Sequence, residues 1–160
     1  SGCIAISLAR ALKFPQVTAL DISPDALATA RKNATSLKTN IRFLQTDILK
    51  SVPHGEYDII VSNPPYVDES EKKDMEDNVL LHEPHTALFV PDDNPLLFYK
   101  RITTLSDTLL APGGYLFLEI NPRHSEALAD LATSSGLTET EIIKDSFGKD
   151  RFLKARKPCQ

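Results

Sequence analysis

Short apolar runs alternate with helical stripes along most of these 160 residues. That alternation constrains the fold more than any one motif. Strands separated by helices of about 10–15 residues build βαβ units and a mostly parallel sheet with helices on both faces. Ile4, Leu8 and Leu12, with Ala5 and Ala11, make an apolar stripe directly after Ser1-Gly2. Residues 16–20 read as a strand. Ser23-Pro24-Asp25 then starts a helix with a capping hydroxyl, a proline at the first helical position and an early acid. Leu27, Ala30, Ala34 and Leu37 share one face of that helix. Residues 41–45 form the next strand, followed by 57–62 (YDIIVS), which is too continuously apolar for one face to be wet. A long connection covers 64–94, a helix 95–110 (Phe98, Ile102, Leu105, Leu109), and a turn Pro112-Gly113-Gly114. Residues 115–120 (YLFLEI) are a strand and 125–135 a helix with Leu128, Leu131 and Ala132 inward. Residues 139–144 and 152–155 close as strands near enough to be an antiparallel edge.

A length of 160 residues fits one domain, 1–160. With 41% hydrophobic and 25% charged residues the chain is of ordinary globular type, and no apolar run reaches the ~20 residues of a membrane span. Lys+Arg 18 against Asp+Glu 22 gives −4, a poor match to bulk-charge binding of nucleic acid. Cys3 and Cys159 make no framework and no CxxC pair, which points to a reducing compartment and a cytoplasmic location.

In a sheet of this kind ligands lie beyond the carboxyl ends of the strands. The positions that matter are therefore Asp21, Asp47, Asn63 to Tyr66 and Glu119 to Asn121. A carboxylate at Asp21 can accept both hydroxyls of a nucleotide ribose, and fits a helix-capping turn equally well. The six glycines form no GxG pattern, so no phosphate- or carboxylate-cradling loop is visible. Asp47, at the end of IRFLQ, can accept from an adenine amino group or cap a turn. Asn63-Pro64-Pro65-Tyr66 is the most informative tetrapeptide. Its prolines end the strand and remove two N–H donors, which leaves the carbonyls of Asn63 and Pro64 without ladder partners. The Asn side chain adds a carbonyl and Tyr a flat wall. Such a corner suits a planar group bearing an NH₂, although NPP alone also serves as a rigid surface turn.

The SNPPY stretch resembles the catalytic motif of Rossmann-fold methyltransferases that use S-adenosylmethionine to methylate amide or amino nitrogen. Several segments are more particularly similar to the release-factor glutamine N5-methyltransferases (HemK type). They are SGCIAISLA, VTALDIS, QTDIL, SNPPYV, HEPHTALF, NPLLFYKRI, PGGYLFLEI and KDSFGKDRFLKARK, in order along essentially the whole chain. NPPY is shared with DNA adenine methyltransferases, whereas HEP…AL, LEI and GKDRF point to the glutamine enzymes. The resemblance implies a Rossmann-like class I fold, mostly parallel with an antiparallel edge. It implies that Ser1 and Gly2 end the loop holding the methionine part of the cofactor. Asp21, with Ile22, would bind the ribose, and Asp47 and Ile48 would flank the adenine. Asn63, beside the cofactor, would hold the acceptor glutamine together with Pro64, Pro65 and Tyr66. The partner implied is a peptide chain release factor, and no metal is implied.

Two departures from the family pattern stand out. The resemblance places the family's first strand, its glycines and the N-terminal helical domain before Ser1, outside these 160 residues; without that central strand both of its neighbours would have unpaired edges, so residues upstream or a neighbouring chain are expected to cover the gap. Ile48 stands where some members have an aromatic, and Asn121 follows LEI where glycine is common. On this reading the Asn63 side chain and the Pro64 carbonyl each accept one N–H of the acceptor amide, aiming its nitrogen at the activated methyl. Residues 68–77 hold six acids and two lysines, which leaves sixteen of each sign elsewhere. Read as a solvated band, that segment would repel DNA phosphates and favour a protein substrate. An adenine-N6 methyltransferase, an NAD-dependent oxidoreductase using Asp21 and an inactive cofactor-binding fragment remain as alternatives.

Overall fold

The computed structural model describes residues 1–74 and 85–159. They form two compact units, Ser1–Pro53 and His54–Gln160.

The first unit contains α1 (Cys3–Ala11), β1 (Val17–Asp21), α2 (Pro24–Ser36) and β2 (Ile41–Gln45). Strands β1 and β2 pair in parallel from Val17↔Ile41 to Asp21↔Gln45. Helix α2 starts where its sequence says it must. Ser23 Oγ accepts the Ala26 N–H at 3.2 Å, and Pro24 occupies the first helical position. Leu27, Ala30 and Ala34 are buried as expected, but Leu37 caps the helix and is 47% exposed. The stripe of α1 differs from the reading above. Ile6 is its buried residue, whereas Ile4 and Leu12 are exposed. Gly2 has φ +74°, and a Cβ there would lie 2.8 Å from Ala30 Cβ, so the chain entering α1 passes close to α2. Helix α1 itself packs on β1 and β2. Ile4, two residues from Ile6 and so ~200° around the helix, points outward.

The second unit holds β3 (Tyr57–Ser62), β4 (Val67–Asp68), a 3₁₀ segment (Glu69–Asp74), α3 (His85–Leu88) and β5 (Phe89–Val90). It continues with α4 (Leu97–Leu109), β6 (Leu110–Glu119), a 3₁₀ turn (Pro122–His124), α5 (Ser125–Ser134), β7 (Thr138–Lys144) and β8 (Asp150–Arg156). Its main sheet has the order β3-β6-β8-β7. The β3–β6 pair is parallel, while β8 runs antiparallel to both β6 and β7, which supplies the expected antiparallel edge. A small parallel pair, β4–β5, lies in the stretch read as a connection. Leu116, Leu118 and Ile120 are fully buried, together with Tyr99, Leu128, Leu153 and Ala155. Each such leucine contributes roughly 1.5–3 kcal/mol of burial.

Two local expectations are corrected here. The Pro112-Gly113-Gly114 turn lies inside β6 as a bulge, since Tyr57 pairs with Leu110 and Ile59 with Tyr115. Gly114 is required there: a Cβ would meet the carbonyl oxygens of Ala111 and Asp58 at 2.9 and 3.0 Å. In β3, Ile59 and Val61 are 40% and 37% exposed, so the face they share is wet. Among the described residues β1 pairs only with β2 and β3 only with β6, and each therefore keeps one open edge. No helix among them is long and apolar enough to cross a membrane.

Candidate active site

Strand β3 ends at Ser62 because Pro64 and Pro65 cannot extend its ladder. Asn63 is exposed and Pro64 buried. Neither the Asn63 side chain nor the Pro64 carbonyl has a hydrogen-bond partner among the described residues. The corner thus offers two acceptor oxygens with free lone pairs.

Tyr66, by contrast, is tied down at both ends. Its hydroxyl donates to Glu119 Oε1 at 2.9 Å, and its carbonyl accepts from Asn121 Nδ2 at 3.1 Å. Burial, and then the neighbouring Glu119 carboxylate, push the Tyr66 phenol up to about 12, so it stays a neutral donor at physiological pH. Tyr99, pushed up chiefly by its burial, donates its own hydroxyl to the Glu119 carbonyl at 3.0 Å. Tyr66 therefore works through its hydroxyl as an anchor as well as through its ring.

The acidic stretch after the corner is not wholly a solvated band. Asp68 is 8% exposed and lies 3.1 Å from His124 Nε2. Glu71 Oε2 accepts the Asp68 N–H at 3.0 Å and Asn121 Nδ2 at 2.8 Å, while its Oε1 is 3.2 Å from Arg123 Nε. Glu69 is exposed. Two of the six acids are thus matched internally, which weakens the argument from charge against a nucleic-acid substrate. Arg123 had no part in the sequence reading, His124 was assigned no role by it, Glu71 entered it only as one acid of the solvated band, and Glu119 and Asn121 only by their positions around the strand end. Their partners lie 50 or more residues away, beyond the reach of a local pattern.

The first unit carries the other candidate residues. At the end of β1, Asp21 Oδ1 accepts the Ser23 N–H at 2.9 Å; Asp21 is exposed, and its second oxygen has no partner among the described residues. Ile22 is 57% exposed and its carbonyl accepts from Gln45 Nε2 at 3.3 Å. Asp47 Oδ1 accepts the Leu49 N–H at 3.0 Å and Oδ2 pairs with Lys50 at 3.1 Å. The Lys50 hydrogen bond, then the Leu49 amide, hold the Asp47 carboxyl below its ordinary range. Asp47 thus does cap a turn, with lone pairs to spare. Ile48 is half-buried beside it. Ser1 takes Asn33 Nδ2 on its carbonyl at 2.9 Å, and Gly2 caps α1 in the left-handed region. The first turn of α1 follows at once, with orphan N–H groups that favour an anion.

Among the described residues no three His, Cys, Asp or Glu are grouped to hold a metal. His82 and Glu83, which with His85 form a stretch of the sequence that could mimic a set of metal ligands, lie outside the described residues.

Solved structures of methyltransferases share this fold. A methyltransferase of Pyrococcus furiosus matches with a TM-score of 0.70 at 20% identity, over 98% of this chain and 70% of that one. TrmN of Thermus thermophilus matches with 0.64 at 22%, over 96% and 40%. The architecture is the Rossmann-like one of class I methyltransferases. Residues 1–89 match the family model described as the methyltransferase small domain, and the chain belongs to that family. It is 48% identical over 159 residues to the release factor glutamine methyltransferase of Bacteroides thetaiotaomicron, covering 98% of this chain and 57% of the relative. The corresponding enzyme of Flavobacterium psychrophilum is 46% identical over 155 residues, covering 96% and 54%. The chain thus spans about half the length of these curated relatives.

Proposed function

We propose that the protein carrying this chain transfers a methyl group from S-adenosylmethionine to the side-chain amide nitrogen of a glutamine in a peptide chain release factor, in the cytoplasm. The observation that carries the reading is the pair of free acceptors, Asn63 Oδ1 and the Pro64 carbonyl, on a corner anchored through Tyr66. Its support is the similarity to relatives bearing that name. A matched solved structure, the N-methyltransferase NodS of Bradyrhizobium japonicum, holds S-adenosyl-L-homocysteine, at 21% identity and a TM-score of 0.56.

The residues present fit the cofactor by the chemistry of their donors. The α1 N-terminus behind Gly2 suits its carboxylate, and the free oxygen of Asp21 suits a ribose diol. Asp47 keeps acceptor capacity for an adenine amine, and Ile22 and Ile48 offer apolar surface at those strand ends. When bound, S-adenosylmethionine supplies a methyl group activated by the sulfonium.

An amide nitrogen is a poor nucleophile because its lone pair is delocalised into the carbonyl. Asn63 and Pro64 would each accept one amide N–H, orient the nitrogen and stabilise the positive charge that grows on it. Most of the acceleration is then positioning and electrostatics, and the surplus proton leaves to water after transfer. Pro65 keeps the corner rigid and Tyr66 packs beside the amide plane. The test is to incubate the full-length protein with labelled S-adenosylmethionine and, separately, release factor and duplex DNA. Label on a release-factor glutamine is expected; label on DNA adenine would overturn the reading.

A further inference from the structure

The Asn63–Pro65 corner has a mechanical weakness. Two consecutive prolines contribute no N–H, so neither can be tied to a neighbouring strand by a donated bond. The lone pairs of the corner stay in place only if the chain just beyond them is fixed. Tyr66 is the first residue past the prolines, and both ends of it are held from the carboxyl end of β6. The Glu119 carboxylate takes its hydroxyl, and the Asn121 amide donates to its carbonyl.

The base of this clamp is rigid. Asn121 is 4% exposed, and both ends of its amide are engaged. Nδ2 donates to Tyr66 and to Glu71 at 3.1 and 2.8 Å, while Oδ1 accepts the Arg123 N–H at 3.1 Å. Two acceptors on one side and a donor on the other allow the amide only one orientation. Glu119 is fixed through its backbone by the hydroxyl of Tyr99, which is fully buried. Strand β6 itself is paired on both sides, by β3 and β8. Directly after LEI this chain thus carries a side chain that makes three hydrogen bonds.

We propose that Glu119 and Asn121 are positioning residues for the methyl acceptor: by clamping the Tyr66 hydroxyl and carbonyl they fix where Asn63 and Pro64 present their lone pairs. The inference rests on the glutamine-methylation reading. Neither residue touches the acceptor, and each acts through Tyr66. A loosened clamp lets the acceptor amide bind but misaims its nitrogen, so kcat falls while cofactor affinity holds. A displacement of ~1 Å at such a site costs up to about 100-fold.

The substitutions separate aim from folding. Glu119→Gln keeps an oxygen for the Tyr66 hydroxyl, and Glu119→Ala removes it. Asn121→Asp keeps the acceptor for Arg123 but loses both donations and sets a carboxylate against Glu71. In the full-length protein, with a release-factor substrate and S-adenosylmethionine, Glu119→Ala and Asn121→Asp should lower kcat by about 10- to 100-fold. Their cofactor Kd should stay near that of the wild type, and Glu119→Gln should restore most of kcat. Tyr66→Phe and Tyr66→Phe/Glu119→Ala should be equally slow, since on this proposal the carboxylate acts through the Tyr66 hydroxyl and not through Arg151, its other charged neighbour at 4.0 Å. Equal kcat in Glu119→Ala and Glu119→Gln overturns the proposal, as does an additive double variant. If Asn121→Asp fails to fold, the Glu119 pair still decides. Backbone amide exchange at Val67, in the β4–β5 pair, and at Asp68, whose N–H donates to Glu71 Oε2, gives a reading independent of activity: it should quicken in Glu119→Ala, and unchanged exchange counts against the clamp. A wild-type protein inert on the release factor, with exchange quickened by Glu119→Ala, would refute the function and leave the clamp standing.

Discussion

The acids of the first unit and the diproline corner of the second are held in opposite ways. Asp21 and Asp47 are secured by their own neighbours: the Ser23 N–H for one, the Leu49 N–H and Lys50 for the other. Tyr66 is secured by Glu119 and Asn121, 53 and 55 residues further along. A local Asx-type turn needs only two or three residues in the right order and forms wherever they occur. A corner built from prolines has no such local means, so its geometry depends on the rest of the unit. The first arrangement suits residues that bind through one outward oxygen. The second suits residues whose lone pairs must be aimed.

The contrast predicts different failures in the two regions. Asn63→Ala removes one of two acceptors and should lower kcat by ~100-fold or more, with cofactor Kd changed only a few-fold. Single-turnover methylation together with equilibrium dialysis of the cofactor checks both halves. Unchanged turnover would place the acceptor elsewhere. Asp21→Asn should do the reverse and by less. It keeps an oxygen for the Ser23 N–H but removes the charge offered to the ribose, weakening cofactor binding by about 10-fold, the size of one charge-assisted hydrogen bond. Its kcat at saturating cofactor should remain close to wild type. A loss of kcat there, with Kd unchanged, would erase the distinction between a binding region and an aiming region.

What could be read from the sequence follows the same division. The Ser23 cap and the bounds of β2 and β3 were legible because capping chemistry and apolar continuity act over a few residues. The corner itself was legible for the same reason. Pro112-Gly113-Gly114 reads locally as a turn, yet the backbone of β3 draws it into β6 as a bulge. The apolar run of β3 gives no sign of which side is covered, and Ile59 and Val61 prove exposed. Asp68 and Glu71 looked like part of a solvated acidic band because His124, Arg123 and Asn121, which draw them inward, are distant in the chain. Glu119 and Asn121 could be singled out as strand-end positions, but their hold on Tyr66 required the fold.

A crystal structure of the full-length protein with S-adenosylhomocysteine and a glutamine peptide would test the aiming role of the corner most directly. The account predicts that Asn63 Oδ1 and the Pro64 carbonyl each lie within about 3.2 Å of the acceptor amide nitrogen, with that nitrogen facing the sulfur. An amide held by other groups, with Asn63 turned out to solvent, would contradict it.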